Sequence, residues 1–160
     1  MNSPSAHPPP RHRAAFTLVE IMIVVVIIGV LAALAVPAFQ RVQQAAQTTR
    51  AISDFRVFAQ AFETFATQNG DWPPNAGTGV VPVGMSGDFK VSIWQGAASI
   101  GGRWNWDRNL GSVAAGVSIV NFTATDAQLA AIDAKLDDGD LSTGHFQKVS
   151  TSRVTYILQQ

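Results

Sequence analysis

Residues 16–39 read FTLVEIMIVVVIIGVLAALAVPAF, and Glu20 is the only charged residue in the stretch. From Ile21 to Phe39, nineteen residues pass without a charge. As a helix rising about 1.5 Å per residue, that run reaches roughly the thickness of a bilayer's hydrocarbon core. The preceding segment is of the opposite kind. Residues 1–15, MNSPSAHPPPRHRAA, hold four prolines, two arginines, two histidines and no acid, a composition that supports neither a long helix nor a buried strand. A secretory signal places its small-residue cleavage site after the apolar stretch, whereas here the small pair Ala14-Ala15 comes before it. Cutting there removes a basic leader and keeps the helix. Arg11 and Arg13 hold the leader on the cytoplasmic side, so the chain after Phe39 is expected outside the inner membrane.

Glu20 needs an account of its own. A carboxylate at the edge of an apolar helix costs up to about a few kcal/mol on insertion, and such residues usually face a partner. In an ordinary anchor, the headgroup layer and the positive end of the helix dipole suffice to hold it. The context here favours a partner, because residues 15–40, AFTLVEIMIVVVIIGVLAALAVPAFQ, closely resemble the processing and assembly segment of type IV pilins and type II secretion pseudopilins.

The resemblance covers about a sixth of the chain and carries specific implications. A prepilin peptidase cuts before the phenylalanine and methylates the new amine, which implies cleavage between Ala15 and Phe16 and N-methylation of Phe16. Most of the family has glycine where this chain has Ala15. Glu20 is implied to pair with the Phe16 amine of a neighbouring subunit entering a filament, a pairing that fixes register more than it adds stability. In related filaments the stretch between the residues matching Gly29 and Pro37 can lose helical structure, and the same is implied here. Both residues weaken a helix on physical grounds alone. The implied partners are further copies or related pilins, the peptidase, an inner-membrane assembly platform and its motor ATPase.

From Gln40 to Gln68 the chain has no Gly or Pro, so the helix is expected to continue as an amphipathic stem. Val42, Ala45, Ala46, Thr49, Ile52, Phe55, Ala59, Phe62 and Ala66 form a helical stripe, widened by Phe58 and Phe65. Asn69-Gly70 is a C-cap signal and Pro73-Pro74 blocks continuation. Strands are expected over 78–83, 89–94, 102–107, 117–122, 146–150 and 153–158, with alternation clearest in Phe89, Val91, Ile93 and in Val154, Tyr156, Leu158. Thr125-Asp-Ala-Gln opens a short helix to about Asp137 that carries Leu129, Ile132 and Leu136 on one face. The expected fold is α+β and pilin-like, a long N-terminal helix packed on a small antiparallel β-sheet. Its parts are a leader over 1–15, a membrane and filament-core helix over 16–39, a stem over 40–69 and a β-rich domain over 70–160.

Charge and chemistry narrow the function. The eleven bases balance eleven acids, and loss of the leader leaves nine bases, with no basic stripe for nucleic acid. There is no cysteine, which excludes disulfides, thiolate metal sites and a cysteine nucleophile. His145 has no recognisable nucleophile or second histidine beside it, so a catalytic triad or zinc site is not expected and the chain does not read as an enzyme. Trp94, Trp104 and Trp106 read as core or subunit contact. Asp137, Asp138 and Asp140, beside Gly139 and Gly144, form either a glycine-rich polar turn or a calcium loop, since calcium favours clustered oxygens on flexible backbone; EF-hand spacing is absent. The leading expectation is a filament subunit of a pilus or a secretion pseudopilus. The alternatives are a minor or tip subunit, or a membrane-tethered ligand-binding module.

Overall fold

The computed structural model describes residues 17–160. The leader, Ala15 and Phe16 lie outside the described residues. The chain divides into two compact units, Met1–Gln40 and Arg41–Gln160.

Helix α1, Leu18–Asn69, passes through both units and includes Pro37 in its interior. Thr17 caps its start, accepting the Glu20 N–H at 3.2 Å on its hydroxyl. At the other end Gly70 adopts φ +76° and its N–H closes on the Ala66 carbonyl at 2.9 Å, the left-handed stop that Asn-Gly encodes. In the first unit, every helical residue from Leu18 to Gln40 is exposed. Fifteen large apolar side chains between Leu18 and Phe39 are each at least 47% exposed. An 18-residue window within α1 has a mean hydropathy of 3.0 and none of it is buried, so length and composition suit it to a bilayer or to a bundle of like helices.

The second unit is an α+β layer. Strands β1 (Arg103–Leu110), β2 (Val113–Val120), β3 (Phe146–Ser150) and β4 (Arg153–Gln159) form an antiparallel sheet in the order β1-β2-β4-β3. The stem part of α1 packs on one face of it. Phe55, Phe58 and Phe62, spaced by three and four residues, share one side of the helix and are at most 2% exposed. Their rings meet Trp104 at 4.9 and 4.8 Å from Phe55 and Phe58, and Trp106 at 3.9 Å from Phe62. Trp104 and Trp106 point the same way because alternate strand residues share a face. Ile119, Val117, Val154 and Phe146 complete that inner layer. On the outer face, Asp107, Asn105, Ser118 and Thr155 are buried polar residues in one closed network. Arg153 and the Ser118 hydroxyl both donate to the Asp107 carboxylate, and the Asn105 amide donates to it at 2.6 Å.

Helix α2, Val91–Gln95, and helix α3, Asp126–Leu136, complete the unit. Thr125 caps α3 as its sequence predicts, accepting from the Gln128 N–H. The Arg56 guanidinium donates to the Lys135 carbonyl at 2.8 Å and ties the end of α3 to α1.

Two expected strands are absent and a third is shifted. Residues 78–83 run as turns: Gly79 takes φ +71° and donates to the Trp104 carbonyl at 2.8 Å, while Pro82 cannot extend a ladder. Residues 91–95 coil into α2 because the buried members are Phe89 and Trp94, not an alternating set, and Trp94 anchors its indole N–H on the Val80 carbonyl at 2.9 Å. Strand β2 begins four residues before the expected 117 and stops at Val120, where Asn121 turns to φ +56°. Strands β3 and β4 match their expected starts, Phe146 and Arg153.

Candidate functional site

Two regions hold the residues singled out from sequence. The first is the start of α1. Glu20 sits in its first turn, and its N–H is taken by Thr17. The sequence Thr17-Leu-Val-Glu20 would allow the carboxylate to fold back on the Thr17 N–H as a capping box. That return bond does not form. The Glu20 side chain is exposed and makes no hydrogen bond or ion pair among the described residues. It therefore stands as a single free negative charge at the end of an uncovered apolar rod.

Gly29 lies farther along the same rod with no side-chain or neighbouring atom within 4 Å of where a Cβ would sit. The helix runs without interruption through Gly29 and Pro37 in the isolated chain. Proline at 37 has no N–H to close the preceding turn, so this is the point at which the backbone hydrogen-bond ladder of α1 is incomplete.

The second region is the loop between α3 and β3. Asp137 accepts the backbone N–H groups of His145 and of Phe146, the latter at 3.4 Å. Asp138 accepts from the Asp140 N–H at 2.9 Å and from the Thr143 hydroxyl at 2.9 Å. Asp140 turns away from them and binds Ser142 through its N–H at 3.0 Å and its hydroxyl at 2.6 Å. These bonds hold the Asp140 carboxyl below the usual carboxylate range. Gly144 adopts φ +70°, and a Cβ there would fall on the Asp137 carboxylate, so only glycine lets the loop close over it. His145 donates from Nδ1 to the Ile157 carbonyl, 3.0 Å away, and has no second metal-ligating ring near it among the described residues.

The carboxylates that converge are Asp133, Asp137 and Asp138, with one oxygen from each within 4.8 Å of the others. Asp133 takes the place expected of Asp140. Its sequence signal was present: with Leu129, Ile132 and Leu136 defining the inner face of α3, the position four after Leu129 and next to Ile132 also faces inward, and Asp133 occupies it. Burial pushes the Asp133 carboxyl up from its ordinary value; the Gly139 N–H partly offsets this, and the charges of Asp138, Asp137 and Asp140 add to the rise.

Comparison with known proteins bears on the first region. Residues 10–36 match the family described as the prokaryotic N-terminal methylation motif. The chain is 38% identical over 81 residues to the type IV major pilin protein PilE1 of Neisseria gonorrhoeae, 49% of each chain. It is 41% identical over 63 residues to the type II secretion system core protein G of Pseudomonas aeruginosa, 39% of this chain and 44% of that protein. The chain thus spans about half the length of the curated relatives it matches. A solved structure of the major type IV pilin PilA1 from Clostridium difficile aligns with 75% of this chain and 98% of its own at 18% identity and a TM-score of 0.47.

Proposed function

We propose that this chain, which carries the N-terminal methylation motif of type IV pilins and type II secretion pseudopilins, is a structural subunit of a pilus or pseudopilus that polymerises through α1. The observation that carries the proposal is the free Glu20 carboxylate at the head of a helix whose apolar surface is wholly exposed from Leu18 to Phe39. In water that surface is untenable, since each such side chain gains about 1.5–3 kcal/mol on full burial. Lipid and a bundle of like helices both relieve it. A subunit therefore waits in the inner membrane and leaves it only when neighbouring helices supply an equivalent apolar surround.

Cleavage after Ala15 creates a positive amine on Phe16, four residues before Glu20 in the sequence. Between chains, the amine of an incoming subunit meets the Glu20 of one already placed, and two charges that are costly alone in an apolar setting become tolerable together. The pair accordingly selects the axial register at which subunits stack. The prepilin peptidase, the assembly platform and its motor ATPase belong to this reading as the partners that cut, hold and extract the subunit. The protein's work is mechanical and needs no catalytic group of its own.

Mass spectrometry of the protein purified from cells bearing an export apparatus tests the processing step. The expected mature chain begins at Phe16 with one methyl on its amine. A chain that begins at Met1 in those cells overturns the proposal.

A further inference from the structure

We propose that the groove between the stem of α1 and α3 holds the headgroup of an anionic phospholipid at the membrane surface. The inference rests on α1 being a membrane anchor and not on polymerisation. Two cavities adjoin there, one of about 470 Å³ that includes Arg41 and one of about 190 Å³, and they share Gln44, Thr125 and Gln128 as lining. Small side chains leave the larger space open: Ala45 on α1, and Ala127 and Ala131 on α3.

The place of the groove along the chain points to lipid. Arg41 follows Phe39, the last residue of the uncharged run, by two positions. At about 1.5 Å per residue, Arg41 and Gln44 come about 3 and 8 Å past the end of that run, within the roughly 5–8 Å that headgroups occupy on each side of the hydrocarbon core.

Charge and lining point the same way. Arg41 is exposed and has no ion pair among the described residues. Arg41, Gln44, Ala45, Thr48 and Ile52 recur at three and four residues and so share one side of the stem. That side carries no acid between Arg41 and Arg56: the one acid in the interval is Asp54, which lies four residues after Arg50 on another side. On α3, Asp126 is taken by Lys148, and Asp133 is buried. No acid lines either cavity, and Lys135 adds a second positive charge to the larger one. Beyond Arg41 the lining offers amides and hydroxyls, from Gln44, Gln47, Thr48, Ser99 and Gln128. The Gln128 amide reaches the Thr48 hydroxyl at 3.4 Å and fixes that lining across the two helices. A groove for a partner helix presents continuous apolar surface, whereas a cation followed by neutral hydrogen-bonding groups suits a phosphate that bears a hydroxylated headgroup.

The test uses the full-length protein inserted into vesicles of equal parts phosphatidylglycerol and phosphatidylethanolamine. Flotation reads insertion, and native mass spectrometry after extraction into mild detergent reads the lipid retained on each chain. Phosphatidylglycerol is expected to be retained in preference to phosphatidylethanolamine. Arg41→Gln is expected to lower that retention about fivefold, the worth of one basic residue at an anionic surface. Gln44→Ala, which changes no charge, is expected to lower it about twofold or more. Arg50→Gln removes the same charge from another side of the stem and is expected to leave retention unchanged. All three positions are exposed, so each variant keeps the folded unit. Equal retention of the two lipids overturns the proposal. So does a Gln44→Ala variant that retains phosphatidylglycerol as the wild type does, because surface charge would then be the whole effect. Chains released as dimers that Arg41→Gln dissociates would put a second copy in the groove and also overturn it. A chain that fails to float overturns the membrane reading itself, a result separable from flotation without lipid preference.

Discussion

At the scale of single residues, the molecule keeps two kinds of acid. Asp107 is buried but fully engaged: Arg153, Ser118 and Asn105 all donate to it. Removing one partner of such a pair leaves the other uncompensated, so Asp107→Ala is predicted to cost about 3–5 kcal/mol, measured by denaturant unfolding in micelles with tryptophan fluorescence as the probe. Asp71 is exposed and bonded to Arg108 at 2.6 and 2.8 Å. Its hydrogen bonds from Arg108 and from the Trp72 N–H hold its carboxyl below the ordinary carboxylate range. A depressed carboxyl contributes stability above its unfolded value and loses that contribution as pH falls through the folded one. NMR titration of the Asp71 carboxyl is therefore expected to give a midpoint below that of an unfolded peptide, and Arg108→Ala is expected to return it upward. Of the site residues, Glu20 stood out because a charge in an apolar run is conspicuous. Asp133 did not, because a single acid on a short amphipathic helix looks like a solvated position until the packing face is known.

Elements were legible where local chemistry and packing agreed. The end of α1 at Asn69, the Thr125 cap of α3, and strands β3 and β4 all carry a turn or cap signal together with matching apolar periodicity. The segment from 78 to 95 lacked that agreement. Phe89, Val91 and Ile93 alternate as a strand would, yet Ile93 is 39% exposed while Trp94 is fully buried. The demand of one large indole for space beneath α1 overrode the local pattern, and periodicity over six residues cannot register such a demand. Strand β2 was misplaced for a related reason, since Ala114, Ala115 and Gly116 have little intrinsic preference for a strand and pair only because β1 and β4 flank them. The aromatic seam is the element-scale determinant of stability. Phe58 touches Phe89, Trp94 and Trp104 with ring centroids 4.8–5.2 Å away, so Phe58→Ala is predicted to destabilise the second unit by about 3–5 kcal/mol, read from the same fluorescence-detected unfolding. A loss under 1 kcal/mol would show that the helix is not held by this seam.

At the scale of the whole molecule, the chain joins a folded unit with a satisfied core to a helix that has none. The Arg41–Gln160 unit buries its phenylalanines and tryptophans internally, whereas the apolar residues from Leu18 to Phe39 bury nothing. That division was readable from sequence because it follows from composition alone: a run of nineteen uncharged and almost wholly apolar residues is not stable on a solvated surface. The partner that covers the run was not readable from composition, and the weight falls on Glu20. Filament yield decides the matter most directly, compared between wild type and Glu20→Ala in cells that carry the complete assembly apparatus. The account predicts that the variant is still cut before Phe16 and still resides in the membrane, but that sheared filaments fall at least tenfold. Normal filament yield from Glu20→Ala would contradict it.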